Sequence, residues 1–300
     1  MRDLAERSAR PASGASLPAG LRLGPVRLAV SDLPRAERFH RDVIGLRPTV
    51  PAAGGDRREL ALGDGETTVV TLVEEPGAQP ARRGPGLYHV ALLYPTRAEL
   101  ARAAMRIALS RTPIQGASDH GTHEAIYLAD PDGNGLELAA DRPRDRWPDV
   151  RSVDGYAGGP QPLDTDSLLA EVAGEAPTAS AAPGLRVGHV HLHVGDVARG
   201  LAFYRDALGF DEMVDLGSAA FVSAGGYHHH VGFNVWRGRG DERVSDGVVG
   251  LRDWTIELPA AADVAAVRER LAAAGAEVCD HDCGFSATDP WGIPFTVRAF

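Results

Sequence analysis

The chain has 300 residues, with 41 acidic and 31 basic side chains and a formal net charge of −10. This length exceeds one average domain and fits two. An acidic chain binds phosphate backbones and anionic lipid poorly, so we expect neither nucleic acid nor a membrane as a partner. Every basic residue is an arginine. Without lysine the chain cannot form the Schiff base of pyridoxal phosphate enzymes or class I aldolases, or complete a Walker A motif.

The N-terminal residues and the cysteines indicate where the protein works. Residues 1–20 mix charged and small side chains without an apolar core. They are therefore not a secretory signal, and we predict that they form a disordered arm. No run approaches the roughly eighteen apolar residues of a membrane-spanning helix. Cys279 and Cys283 are the two cysteines, too few for a four-cysteine zinc site, and we expect reduced thiols. These features predict a cytoplasmic protein.

The sequence contains an internal repeat. Residues 26–46 match residues 190–210 at an offset of 164 residues, with nine identities. The same offset relates Gly86 and Leu87 to Gly250 and Leu251. A constant offset over this length indicates a duplicated domain.

Each half of the repeat divides again into two modules. Residues 25–31 alternate as a strand does, and a helix follows with Asp32 as its N-cap and Gly45 at its end. The next elements are strand-like runs at 59–63 and 67–75, a strand at 87–95, a helix over 97–109 and strands within 125–141. Residues 187–236 and 250–300 repeat this order. The pattern predicts an α+β fold of four βαβββ modules.

The modules fall into two sequence domains. We assign modules 1 and 2 to residues 21–140 and modules 3 and 4 to residues 185–300. Residues 141–184 are rich in proline, glycine and alanine and are interpreted as a linker, in which residues 164–174 could form a short helix.

The four modules, strand openings of the form HVxLxVxD and the closing DPDGNGLEL resemble the vicinal oxygen chelate superfamily. This superfamily includes glyoxalase I, extradiol catechol dioxygenases and bleomycin-resistance proteins. The phrases GLYHVAL, VGHVHLHVGDV and SAGGYHHHVGFNVW more narrowly resemble two-domain bacterial catechol 2,3-dioxygenases. The resemblance covers residues from about 25 to 300 and implies two tandem domains of this superfamily.

Eleven histidines are present, and several are clustered as HVHLH at residues 189–193 and HHH at residues 228–230. Strand alternation places His189, His191 and His193 on one face. A sheet face lined by histidines is unfavourable as core, because each buried ring needs hydrogen-bond partners. Neutral imidazole is a common metal ligand, so this clustering favours a metal site.

The resemblance implies that metal ligands come from the first and last strands of each module. Module 2 offers His89 and Glu137 in these positions, and module 3 offers His189 and the triplet 228–230. The outer modules offer Pro25, Asp253 and Thr296. One complete site forms if module 2 faces module 3, and we therefore predict His89, Glu137 and His189 as the ligands. Pairing of module 1 with 2 and of module 3 with 4, with incomplete half-sites, remains an alternative.

Two histidines and one carboxylate on one face of an ion leave positions open for substrate, as in non-haem Fe(II) oxygenases. Fe(II) is the expected cofactor, and Mn(II), Zn(II) or Ni(II) are compatible with the same ligands. The resemblance also implies a tyrosine ten residues before the glutamate, which is Tyr127, and a histidine shortly before it, His120 or His123, of which we choose His120. An acid–base histidine is expected in the triplet, and we choose His230.

The sequence therefore predicts an extradiol dioxygenase that cleaves a catechol-like aromatic with O2, with a homodimer as a compatible assembly. The alternatives are a glyoxalase-type metal isomerase and a binding protein that sequesters an aromatic or an antibiotic without chemistry. The isomerase would use glutamates both as ligand and as base, and Glu137 alone fills such a position. An aromatic substrate pocket could be lined by Trp147, Trp236 and Trp254.

Overall fold

The computed structural model describes residues 16–49, 58–152 and 159–300, so most of the predicted N-terminal arm lies outside the described residues. Four βαβββ modules account for nearly all of the regular elements, and the α+β fold is confirmed. Module 1 contains β1 (Arg22–Val30), α1 (Leu33–Phe39, continued by a π-helical turn over His40–Ile44), β2 (Arg47–Pro48), β3 (Glu59–Gly63) and β4 (Thr68–Glu74). Module 2 contains β5 (Gly86–Leu93), α2 (Arg97–Ser110), β6 (Gly116–Asp119), β7 (His123–Ala129) and β8 (Gly135–Asp141).

The second half of the chain repeats this order after a connecting segment. That segment carries a 3₁₀ turn (Arg144–Arg146), β9 (Gln161–Pro162) and α3 (Thr165–Ala170). Module 3 contains β10 (Arg186–His193), α4 (Val197–Leu201, continued by a π-helical turn over Ala202–Ala207), β11 (Asp211–Asp215), β12 (Ala219–Ser223) and β13 (Val231–Asn234). Module 4 contains β14 (Gly250–Leu258), α5 (Ala261–Ala273), β15 (Val278–His281), β16 (Gly284–Thr288) and β17 (Pro294–Ala299).

The helix boundaries of the repeat follow local chemistry. The carboxylate of Asp32 accepts a hydrogen bond from the backbone N–H of Arg35 at 2.8 Å, and Asp196 does the same for Arg199 at 2.7 Å. Each carboxylate satisfies an N–H group that the first turn of a helix leaves without a partner. Gly45 ends the first helical segment with a φ of 89°, a conformation that costs a glycine little. These N-cap and C-cap predictions are confirmed.

The first strands of the modules decide how the modules pair. β5 of module 2 pairs antiparallel with β10 of module 3, and β1 of module 1 pairs antiparallel with β14 of module 4. Each first strand also pairs in parallel with the last strand of its own module. Module 2 therefore faces module 3, as the distribution of ligand-type residues predicted. Each packed pair combines one module from each sequence repeat.

The connecting segment packs against module 2. β9 adds to the edge of β6 through Ser118 and Asp119. The predicted short helix is present as α3, with Asp164 as its N-cap and with its own Leu168 side chain buried. This segment is therefore part of the packed structure as well as a connection. Among the described residues, no helix has the length and apolar character needed to cross a membrane.

Candidate metal centre and substrate cavity

Strand register builds the predicted metal site. A row runs across β7, β8, β5 and β10, and its members are Tyr127, Glu137, Ala91 and His189. Residues directly opposite each other on neighbouring strands point to the same face of a sheet. His89 lies two residues from Ala91 and therefore shares that face. The small side chain of Ala91 leaves space between the larger members of the row.

Three side-chain atoms converge on this face. Nε2 of His89 lies 3.0 Å from Oε2 of Glu137, and Nε2 of His189 lies 3.1 Å from the same oxygen. The two Nε2 atoms are 3.2 Å apart. All three residues are buried. The donor atoms thus form a nearly equilateral triangle with no bulky group between them.

The triangle fits a divalent metal ion. Ligand atoms about 2.1 Å from an ion are about 3.0 Å apart on one face of an octahedron and about 3.4 Å apart in a tetrahedron. The observed edges of 3.0 to 3.2 Å are closer to the octahedral face. Two imidazoles and one carboxylate are also a donor set that binds divalent transition metals. A second group with suitable spacing, formed by His189, His228 and His229, shares His189 with the first.

Glu137 is held in its ionised form. Burial raises the pKa of this carboxyl, but the neighbouring His189 and hydrogen bonds from His123, His189 and His89 outweigh burial and hold the pKa well below its ordinary value. Burial lowers the pKa of His189, although Glu137 opposes that effect. The glutamate is therefore an anion and His189 favours its neutral form at neutral pH, which are the states that metal coordination requires.

His123 orients the glutamate from the other side. Its Nε2 lies 3.0 Å from Oε1 of Glu137, and its Nδ1 lies 2.8 Å from the hydroxyl of Thr122. The ring is stacked between His120 and His228, with centroid distances of 4.5 Å to each. The sequence offered His123 as an alternative to His120, but its contact with the second carboxylate oxygen depends on the tertiary structure.

Tyr127 and His120 lie beside the triangle, and both line the cavity described below. Nε2 of His120 is 2.7 Å from the phenol oxygen of Tyr127. Burial, followed by the charge of Glu137, raises the pKa of Tyr127, so the phenol stays protonated. Burial and the neighbouring His123 lower the pKa of His120 to about 4, so this imidazole is neutral at pH 7.

The histidine triplet is arranged differently from the prediction. His229 lines the cavity, whereas His230 is directed toward Ser223, whose hydroxyl lies 2.9 Å from its Nδ1, and accepts from the backbone N–H of Ala224. The choice of His230 assumed strand alternation, but the triplet precedes β13 and belongs to the turn before it. Alternation does not apply to a turn, so His229 takes the position on the cavity wall.

Asn234 fixes two further histidines of β10. Its amide nitrogen donates to Nε2 of His191 at 2.9 Å, and its amide oxygen lies 2.8 Å from Nδ1 of His193. His191 and His193 contact the ring of Tyr88 at centroid distances of 5.0 Å. These two histidines are therefore satisfied polar residues that support the cavity wall. In the sequence, His191 and His193 share the strand face of His189, so the alternation pattern does not distinguish these two histidines from the predicted ligand.

A cavity of about 460 Å³ opens from the triangle, a size that accommodates a small organic ligand. Its lining is mostly apolar, and the apolar and aromatic side chains in it include Tyr88, Pro148, Val150, Pro160, Leu216, Phe221 and Trp236. Of the three tryptophans considered for this pocket, Trp236 lines it. Trp147 packs on Tyr227 and His228, and Trp254 is fully buried against Phe295 in the core.

The corresponding positions of modules 1 and 4 have different chemistry. They hold Pro25, Asp253 and Thr296, and the Thr296 hydroxyl donates to the Asp253 carboxylate at 3.1 Å. Burial raises the pKa of Asp253 to about 6. Among the described residues, both groups with the spacing of a metal site lie between modules 2 and 3.

Comparison with known proteins agrees with this architecture. The family model of the Glyoxalase/Bleomycin resistance protein/Dioxygenase superfamily matches residues 22–138 and 186–296, and the chain belongs to this superfamily. A catechol-2,3-dioxygenase of Bacillus subtilis (strain 168) is 38% identical over 272 residues, which cover 89% of this chain and 93% of that protein.

Solved structures show the same fold. Glyoxalase I from Zea mays has a TM-score of 0.59 with 18% identity, over 93% of this chain and 92% of the maize chain. A crystal structure of a Bacillus subtilis protein has a TM-score of 0.62 with 15% identity, over 96% of this chain and 86% of the other. At sequence identities this low, structural similarity establishes the fold. The activity has to be inferred from the residues of the site.

Proposed function

We propose that this protein is an Fe(II)-dependent extradiol dioxygenase that cleaves a catechol-like aromatic with O2. The observation that carries the proposal is the triangle of His89, His189 and Glu137 at the base of a mostly apolar cavity. The relationship to a catechol-2,3-dioxygenase supports the same activity. Bound Fe(II) would supply adjacent positions for the two catechol oxygens and a third for O2.

Three residues around the triangle have roles in this reaction. Tyr127 keeps its proton, so its O–H can donate to negative charge that develops on a substrate oxygen. Neutral His120 can donate its Nε2–H to the phenol oxygen and orient that O–H toward the substrate. His229, on the cavity wall, is the acid–base histidine in this proposal: burial lowers its pKa well below its ordinary value, so its ring is neutral and has a nitrogen lone pair that can accept a proton from the substrate.

The cavity wall selects the substrate by shape and polarity. Tyr88 and Trp236, two exposed side chains of the cavity wall, form an edge-to-face pair with a centroid distance of 5.5 Å. Phe221 and Leu216 continue the apolar wall. Burial of an uncharged aromatic ring against this wall makes the free energy of binding more favourable. A charged substituent would bind less well, because it would lose hydration without meeting an opposite charge in this part of the wall.

The alternatives have less support from the site. A glyoxalase-type isomerase would use a glutamate as base in addition to a glutamate ligand. Among the described residues that line the cavity, Glu137 is the one carboxylate. A carrier without chemistry has no use for three converging ligand atoms, which keep two imidazoles and a carboxylate buried at close range.

The test uses anaerobically prepared protein loaded with Fe(II). With catechol and O2 it should consume oxygen and produce a yellow ring-opened semialdehyde, and removal of the metal by a chelator should abolish both signals. A monophenol of similar size should not turn over, because it lacks the second oxygen. Iron-replete protein that consumes no oxygen with a panel of catechols would refute the proposal.

A further inference from the structure

Asp141, His228 and His229 form a chain of hydrogen bonds that ends at the cavity. Nε2 of His228 lies 3.3 Å from Oδ1 of Asp141, and Nδ1 of His228 lies 2.9 Å from Nδ1 of His229. The hydroxyl of Tyr227 donates to Asp141 at 3.1 Å. Asp141 is therefore an acceptor with two donors directed at it, and His228 is the link between this carboxylate and His229.

The order of donors along the chain follows from the carboxylate. An ionised carboxylate only accepts hydrogen bonds, so His228 presents Nε2–H to Asp141. The two Nδ1 atoms of His228 and His229 face each other at 2.9 Å, so one of them donates and the other accepts. A His228 ring that gives its single N–H to Asp141 therefore accepts at Nδ1. His229 must then donate its Nδ1–H to His228. The remaining nitrogen of His229, Nε2, keeps its lone pair.

Packing prevents His228 from turning to another arrangement. The ring is buried and stacked on His123 at a centroid distance of 4.5 Å and an interplanar angle of 16°. Tyr227 covers it at 4.1 Å, and Trp147 contacts it at 5.2 Å. His228 itself is absent from the cavity wall, whereas His229 lines it. No described residue occupies a hydrogen-bonding position on Nε2 of His229.

We propose that Asp141 and His228 are positioning residues that fix His229 as the Nδ1–H tautomer, with the Nε2 lone pair available to the substrate. In a catalytic triad, a carboxylate sets the tautomer of the catalytic histidine through a direct hydrogen bond. Here the carboxylate of Asp141 would act on His229 through the imidazole of His228. The expected effect on turnover rests on the proposed dioxygenase function. The assignment of the His229 tautomer rests on the hydrogen bonds alone.

Two variants of His228 separate the hydrogen bond from the packing. His228→Asn keeps an amide oxygen near the position of Nδ1, so it can still accept from His229. His228→Phe keeps a ring in the stack with His123 but has no acceptor. The Asn variant keeps the acceptor for His229 without the ring, and the Phe variant keeps the ring without the acceptor. Neither variant keeps the hydrogen bond to Asp141, so the pair tests the acceptor at Nδ1 against the packing of the ring.

The first measurement is the tautomer of His229 in the Zn(II)-loaded protein, read from side-chain ¹⁵N chemical shifts by NMR. Wild type and His228→Asn should show a protonated Nδ1 and an unprotonated Nε2. His228→Phe should lose this preference. A wild-type His229 that carries its proton on Nε2 would overturn the proposal, whether or not the protein cleaves catechols and whether or not the Phe variant folds.

The second measurement is steady-state turnover of catechol by the Fe(II)-loaded variants. His228→Phe should lower kcat by a factor on the order of 10², with little change in KM or iron content, because correct protonation of an acid–base group contributes about that much. His228→Asn should restore most of the rate. Equal rates in the two variants would contradict the proposal, whereas an inactive wild type with the expected tautomer would remove the dioxygenase assignment alone.

Discussion

The hydrogen bond from His123 to Glu137 gives a sharp test of how the metal centre is organised. His123→Phe removes the nitrogen that lies 3.0 Å from Oε1 of Glu137, while a ring remains in the stack between His120 and His228. Without this donor, the carboxylate is free to rotate away from the position in which Oε2 faces His89 and His189. We expect weaker metal binding in a protein that still folds.

The magnitude follows from the type of hydrogen bond. A hydrogen bond to a charged group is worth about 1.5–3 kcal/mol, which corresponds to about a 10- to 150-fold change in affinity if all of it appears in binding. Loss of a residue that orients a metal ligand costs about 10- to 100-fold in affinity in other proteins. We therefore expect the dissociation constant for the metal to rise by about 10- to 100-fold.

The assay is a competition titration with a chromophoric chelator, performed on His123→Phe and wild type. His281→Phe is the matched control, because His281 is exposed at the end of β15, outside the cavity wall. Urea denaturation of the metal-free proteins checks that the variant is folded. A dissociation constant within threefold of wild type would show that His123 does not organise the glutamate.

Three further outcomes are expected. Glu137→Gln should still unfold cooperatively but should not retain metal after gel filtration, because a neutral amide cannot neutralise the charge of a dication. A metal content equal to that of wild type would show that Glu137 is not a ligand. Tyr127→Phe should lower kcat up to about 10²-fold with a smaller change in KM, because its donor acts mainly as charge develops, and a change confined to KM would contradict this role. His230 has a pKa lowered to about 3 by burial and by His189. Since its unfolded pKa is about 6.5, its contribution to stability is fully present above pH 6.5 and is lost as the pH falls toward 3, by on the order of 5 kcal/mol in total. Urea unfolding of metal-free His230→Asn should therefore show a smaller loss of unfolding free energy between pH 6.5 and 4.5 than wild type, and parallel pH dependences would refute this.

The sequence by itself determined the modules and the three triangle residues. The repeat offset and the local caps at Asp32 and Gly45 are properties of short segments, and short-range chemistry decides them. The triangle residues were found because the resemblance implies ligands on the first and last strands of each module, where module 2 has His89 and Glu137 and module 3 has His189. Their distribution also favoured the inner pairing, since one face-to-face arrangement collects a full set.

Tertiary structure alone decided which other polar residues join the site. His229 lines the cavity and His230 does not, because the triplet lies in a turn, where the strand period of two residues does not apply. His123 and Asn234 acquired their roles through partners on other strands, at sequence separations of 14 and 43 residues. The connecting segment looked like a plain linker because its composition is typical of one, yet Pro148 and Val150 reach the cavity. Contacts of this kind depend on how strands that are distant in the sequence align in the sheet. A hydrogen bond between two such strands produces no periodic pattern in the sequence, so it cannot be predicted from one sequence.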